Sequence, residues 1–218
     1  MKVIQIPGGQ FVENCYLVID EASNTCAVID PGEQAGLVLH KLEASGATPV
    51  GIWLTHAHLD HVLGVPALAA ATGVPVSLHP ADRALYDAVP DQAAWFGLTA
   101  DPLPPPDRDF TAGERLQLGS LEFEVRHAPG HSPGHVVLAG PGAVFSGDVL
   151  FQGSIGRTDL PGGDFDTLLE SIARELLVLP DSTIVYAGHG PATTIDAERR
   201  TNPFLVGAGG VGRDGRVA

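Results

Sequence analysis

Apolar positions along this chain fall into short β-branched runs broken by Gly, Pro and Asp, and clusters of these runs are followed by helical spacing. Val3–Ile6, Cys15–Ile19 and Cys26–Ile29 read as strands, because such residues suit a pleated, half-buried surface. Asp30-Pro31-Gly32 ends the third strand. Residues 33–45 place Leu37, Val38 and Leu42 on one side of a helix that Gly46 stops. Val50–Leu54 predicts a fourth strand, with a loop over 55–64. Residues 65–72 predict a second helix, with Pro66 in the first turn, where a missing N–H costs little. Val74–Leu78 reads as a short strand and 81–88 as a helix. Residues 89–109 hold Pro90, Pro102 and Pro104-Pro105-Pro106 and predict an irregular surface crossover.

The second half repeats the style. Phe110–Leu118 and Leu121–His127 predict antiparallel strands around Gly119-Ser120. Val136–Ala139 and Ala143–Ser146 predict a hairpin around Gly140-Pro141-Gly142. Asp166–Leu179 predicts a continuous helix with Leu168, Leu169, Ile172, Leu176 and Leu177 on its apolar side, and Thr183–Ala187 a last strand. Strands followed by helices, twice over, predict an α+β sandwich of two sheets with helices outside. Residues 1–206 are expected to form one domain, and the Gly-rich 207–218 a frayed tail.

Composition narrows the function classes. Of 218 residues, 44% are hydrophobic and 17% charged, which suits a soluble chain able to bury a sizeable core. Net charge is −14 and Lys2 and Lys41 are the two lysines, so no basic stripe is available for nucleic acid. Cys15 and Cys26 sit in apolar runs and read as small buried hydrophobes. Residues 62–81 lack Asp, Glu, Lys and Arg, but Gly64, Pro66, Gly73, Pro75, Ser77 and His79 break the stretch, so no membrane span is expected. No long apolar leader is visible, and a cytoplasmic location is the expectation. Oligomeric state is left open.

Candidate chemistry concentrates in Thr55-His56-Ala57-His58-Leu59-Asp60-His61, directly after a predicted strand. Imidazole and carboxylate together suit zinc, iron or manganese. The turn can aim His56 and His58 at one metal while Asp60 and His61 fall toward an adjacent position. A catalytic metal needs more ligands than one loop supplies. The further candidates are His131 in Pro129-Gly130-His131-Ser132-Pro133-Gly134, Asp148 in Phe145-Ser146-Gly147-Asp148 and His189 in Tyr186-Ala187-Gly188-His189-Gly190. Each follows an apolar run and has Gly beside it, where backbones can crowd around an ion. His135 is expected to support or pack against the ligands. Asp30 reads as a support or as a simple turn former.

In that order, His-x-His-x-Asp-His, Gly-His, Gly-Asp and Gly-His resemble the signature of the metallo-β-lactamase superfamily, and the resemblance runs from about residue 3 to 205. It implies an αβ/βα four-layer sandwich with metals at one edge. His56, His58 and His131 would bind one divalent cation, Asp60, His61 and His189 a second, and Asp148 would bridge them. Zinc is the first expectation, with iron or manganese as alternatives.

β-Lactamases of this fold carry Cys where this chain has Asp148, so antibiotic hydrolysis is not expected. Residues 151–164, with Gly156-Arg157-Thr158-Asp159 inside, and 198–205 resemble short glyoxalase II-like (hydroxyacylglutathione hydrolase-like) hydrolases. The implied reaction is thioester hydrolysis on S-acylglutathione or a similar small molecule. Water activated between the metals would attack the carbonyl, with Asp60 as the catalytic carboxylate that ligates and orients. A thiol leaving group, of pKa ~8.5, needs no strong acid. Arg157, with Arg199 and Arg200 behind it, is a candidate to pair with a substrate carboxylate, or Arg157 pairs with Asp159 or Asp164 instead. Full-length glyoxalase II enzymes add a helical domain that holds much of the glutathione site, and this sequence ends before one. The alternative activity on the same ligand pattern is a persulfide dioxygenase with one iron.

Overall fold

The computed structural model describes residues 1–206, so the expected tail at 207–218 lies outside the described residues. One six-stranded sheet runs β1 (Lys2–Gly8), β2 (Glu13–Asp20), β3 (Thr25–Ile29), β4 (Thr48–Trp53), β5 (Val76–Leu78), β6 (Arg108–Asp109), in that spatial order. The β1–β2 and β2–β3 pairs are antiparallel, and the pairs from β3 to β6 are parallel. The second sheet contains β7 (Arg115–Leu118), β8 (Leu121–His127), β9 (Val136–Gly140) and β10 (Ala143–Gly147). After a separate hairpin of β11 (Leu150–Phe151) and β12 (Ser154–Ile155), β13 (Ile184–Ala187) joins it parallel to β10, and β14 (Thr193–Thr194) closes its edge.

Period-two alternation decides the layering. All eight positions of β2 are buried, as a strand covered on both faces requires. Cys15, Leu17 and Ile19 share an outer core with Val38 and Leu42 of α1 (Ala35–Ser45). Beyond α2 (Leu59–Val62), Val65 and Leu68 of α3 (Val65–Thr72) complete that layer. Tyr16 and Val18 face the opposite way and pack against Phe123, Val125, Leu138 and Phe145 of the second sheet. That sheet's outer face carries Val137, Val144 and Val185 under Leu168, Leu169 and Ile172. The fold is therefore a helix–sheet–sheet–helix sandwich of the α+β class. Among the described residues no helix is long and apolar enough to cross a membrane.

Three local expectations change. Leu37 is exposed, because Val38 and Leu42, four apart, share the buried face of α1 and Leu37 sits off it. After α4 (Arg83–Asp87), the expected crossover contains a helix, α5 (Val89–Trp95), with Pro90 in its first turn. The long helix expected over 166–179 is α6 (Phe165–Ser171) followed by a wider π turn over Ile172–Leu176. There the Leu177 N–H reaches the Ile172 carbonyl at 2.9 Å. The extra residue in the turn keeps Ile172, Ala173 and Leu176 all buried.

Candidate metal centre

Five of the seven predicted ligands stand on loops at the ends of strands from both sheets. His56 and His58 follow β4, His131 lies between β8 and β9, Asp148 follows β10 and His189 follows β13. Asp60 and His61 lie in α2, which replaces the loop expected at 55–64. Backbone bonds stitch the loops together: Val136 donates to Thr55 at 2.8 Å, Gly188 to Gly147 at 2.8 Å and Asn14 to Gly188 at 2.7 Å. A Cβ at Gly188 would run into the Asp148 carboxylate and the His61 ring, so this approach requires glycine.

Two groups of ligand atoms converge. In the first, His131 Nε2 lies 2.8 Å from His58 Nδ1 and 3.2 Å from His56 Nε2. The outer hydrogen bonds assign the tautomers. His131 Nδ1 donates to the Arg157 carbonyl at 2.7 Å. Thr55 Oγ1 donates to Asp30 Oδ2 at 2.6 Å, which leaves its lone pair to accept from His56 Nδ1 at 3.0 Å. The Nε2 atoms of His56 and His131 therefore carry lone pairs. At most one proton, on His58 Nδ1, can lie among the three nitrogens, whereas one cation serves all of them. In the second group, Asp60 Oδ2 lies 3.2 Å from His189 Nε2 and 3.8 Å from His61 Nε2. His61 Nδ1 donates to Asp30 Oδ2 at 3.1 Å, so its Nε2 is also bare.

Asp148 touches both groups. Its carboxylate is 3.5 Å from His131 Nε2, 3.4 Å from His61 Nε2 and 3.5 Å from His189 Nε2. Asp148 Oδ1 and His61 Nε2 are buried without a hydrogen-bond partner. Orphaned buried polar atoms are rare unless an ion satisfies them. Bare imidazole nitrogens and carboxylates turned toward common points fit divalent metal ions.

The electrostatics separate the groups. Burial holds His56 far below the ordinary imidazole range, brings His58 down to about 3, and lowers His131 against the pull of Asp148. Burial also opposes charge on His61 and His189, but there Asp60 and Asp148 outweigh it and raise both. Burial would raise Asp60 and Asp148, and His61 and His189, joined at Asp148 by His131, together more than offset it, so both carboxyls are held low. Without metal, His61 and His189 are the imidazoles of the site that hold a proton most readily. Protons thus compete for the second group at higher pH than for the first. Dialysis at steps from about pH 7 down to 4 is expected to release metal from Asp60–His61–His189 before the three-histidine group, giving two separate losses by elemental analysis. Simultaneous loss at every step would contradict this ordering.

Behind the ligands stands a polar frame, part of which the sequence reading left out. Asp30 holds a left-handed backbone, φ 48°, a conformation Asp tolerates better than most residues. From there its carboxylate accepts from Thr55 N at 2.7 Å as well as from Thr55 Oγ1 and His61. His135 accepts from Asp148 N at 3.0 Å and stacks on His56. Asp82 accepts from Ala57 N, Ser132 Oγ and Gly134 N, so it joins the 55–61 and 129–135 loops. Gln92 of α5 accepts from Leu59 N and donates to the Ala57 carbonyl. Glu13 lies buried 3.9 Å from His61 Nδ1, and burial pushes its carboxyl well up. Locally, Asp82 reads as a helix start and Gln92 lies in a Pro-rich stretch, so neither carries a sequence signal.

The profile of the metallo-beta-lactamase superfamily matches residues 8–189 of this chain. The chain belongs to that superfamily. It is 43% identical to the hydroxyacylglutathione hydrolase GloC of Haemophilus influenzae, over 94% of this chain and 98% of the relative. A solved structure, TTHA1623 in a di-iron-bound form, superposes with a TM-score of 0.86 at 46% identity, covering 93% of this chain and all of that one. A second, BLEG-1 B3 metallo-beta-lactamase, superposes with a TM-score of 0.89 at 41% identity, covering 94% and 100%.

The site opens on a cleft of about 370 Å³ that reaches His58, Asp60, His131, Asp148 and His189. Arg157 lines it, but its guanidinium already binds Asp159 through Nε at 2.7 Å and Nη2 at 2.8 Å. The expected substrate-binding Arg199 and Arg200 do not line it. Arg199 donates to the Leu177 carbonyl at 2.6 Å, and Arg200 pairs with Asp196 at 2.7 Å, one turn away on α7 (Ile195–Thr201).

Proposed function

We propose that this protein is a dinuclear metal-dependent hydrolase of thioesters, acting on S-acylglutathione or a similar compound. The observation that carries the reading is Asp148, whose carboxylate is within 3.5 Å of ligand nitrogens in both groups. The relative named hydroxyacylglutathione hydrolase supports the substrate class. His56, His58 and His131 would hold one cation, Asp60, His61 and His189 the other, and zinc, iron and manganese all suit these donors. Bound there, two divalent cations would supply Lewis acidity that polarises a carbonyl and lowers the pKa of water to ~7.

The chain's own groups do the rest. Asp60 lines the cleft with an ionised carboxyl and can accept a proton bond from the attacking water, orienting it. Asp30, Thr55 and the Arg157 carbonyl fix the ring orientations of His56, His61 and His131, so the ligand lone pairs need not reorganise during reaction. A departing thiolate needs no strong acid, and the lining of the cleft contains no free one.

The test is hydrolysis of S-D-lactoylglutathione by metal-loaded protein, run beside oxygen uptake with glutathione persulfide and hydrolysis of a β-lactam. Thioester cleavage with two metals per chain is the expected result. Oxygen uptake with a single iron, or β-lactam cleavage without thioester cleavage, would overturn it.

A further inference from the structure

Beside the candidate ligands, the cleft is lined by aromatic and aliphatic side chains. Phe11 comes from the turn between β1 and β2, Trp95 and Phe96 from the end of α5, and Phe151 and Leu160 from the segment after β10. Trp95 and Phe96 are 56% and 47% exposed. Phe11 meets Phe96 edge-on with ring centroids 5.0 Å apart. Large apolar groups gathered on one wall from three separate segments are costly to leave in water and mark a surface that a ligand covers. The wall is continuous with the ligands: the Phe151 ring lies edge-on to His189 at 6.1 Å, and Leu59 stands between His58 and Asp60.

Charge points the same way. Arg157 is the one Lys or Arg among the described residues lining the cleft, and Asp159 already holds its guanidinium bidentately. A net charge of −14 disfavours a polyanionic ligand further. A glutathione thioester of a simple monocarboxylic acid carries its charges on the thiol half, so the half that matches an uncharged aromatic wall is the acyl group.

We infer that Phe11, Trp95 and Phe96 form an acyl-binding wall that selects thioesters of medium-length aliphatic or aromatic acids over small polar ones. This rests on the thioesterase reading, and the experiment separates the two. Metal-loaded protein is given lactoyl, hexanoyl and phenylacetyl thioesters of glutathione, and the same three acyl groups on uncharged N-acetylcysteamine. The expected kcat/KM rises about tenfold or more from lactoyl to phenylacetyl on both thiols, mainly through KM. Trp95→Ala shrinks that ratio at least about fivefold. A milder variant, Trp95→Leu, keeps part of it.

Binding is read without turnover by tryptophan fluorescence, using the inert thioethers S-hexylglutathione and S-methylglutathione. The chain has two tryptophans, and Trp53 is buried between the sheets, so the signal reports Trp95. The hexyl compound is expected to bind at least about tenfold more tightly. Hydrolysis with no acyl preference, a preference that follows the thiol, or equal binding of the two thioethers would overturn the inference. Tighter hexyl binding with no thioester hydrolysed supports the wall and removes the thioesterase reading instead.

Discussion

Replacing Asp148 by Ala is expected to reduce hydrolysis by at least roughly 10²–10³-fold and to leave one metal or fewer per chain. Among the described residues, Asp148 is the carboxylate that lies within 3.5 Å of ligand nitrogens from both groups. Its removal would take a donor from each and the negative charge that would let two cations sit side by side. The backbone has no reason to move. Asp148 N keeps its bond to His135 Nε2, and Gly188 N its bond to the Gly147 carbonyl. Asp148→Asn separates charge from shape: it retains an oxygen donor but is neutral, and an intermediate loss is expected. Elemental analysis and initial rates on both variants decide the matter. If Asp148→Ala holds two metals and works within about tenfold of the parent, the carboxylate does not join the groups and the dinuclear reading fails.

The side chains gathered at this site were legible because each sits in a short motif whose neighbours are informative. His131, Asp148 and His189 each follow a β run with Gly on at least one side, and those glycines reappear as places where a Cβ would collide, at Gly130, Gly147 and Gly188. The layering was legible because groups of strands are followed by helices twice over, and the structure adds that β2 and β3 send alternate residues into two different cores. What escaped depends on distant parts of the chain. Nothing near Asp82 indicates that its carboxylate will meet Ala57 and Gly134. Pro90 disguised α5, and with it Gln92. Arg199 and Arg200 looked free because a side-chain charge seems available until its partners, the Leu177 carbonyl and Asp196, are in place. Leu37 illustrates the finer limit: a periodic pattern names a helix more securely than it names which of two adjacent residues turns inward.

Asp82→Ala should destabilise the metal-free protein by about 3–5 kcal/mol and weaken metal binding by about 10–100-fold, although Asp82 is no ligand. Its side chain is fully buried, and it accepts from Ala57 N at 3.0 Å, Ser132 Oγ at 2.7 Å and Gly134 N at 2.5 Å. Burial raises its carboxyl, and those three donors pull it back only in part. Ala would leave two backbone N–H groups buried without an acceptor and a void where the carboxylate stood. The two loops that lose this anchor carry His56, His58 and His131, so the three nitrogens of the first group would no longer be held at 2.8 and 3.2 Å. Urea unfolding measures the first effect and a metal titration the second. Asp82→Asn tells packing from charge, because it fills the same volume but places an NH₂ against at least one of the three donors. It should recover less than half of the stability. A loss below about 1 kcal/mol for Asp82→Ala, with metal affinity unchanged, would mean that the two loops hold their geometry without this residue.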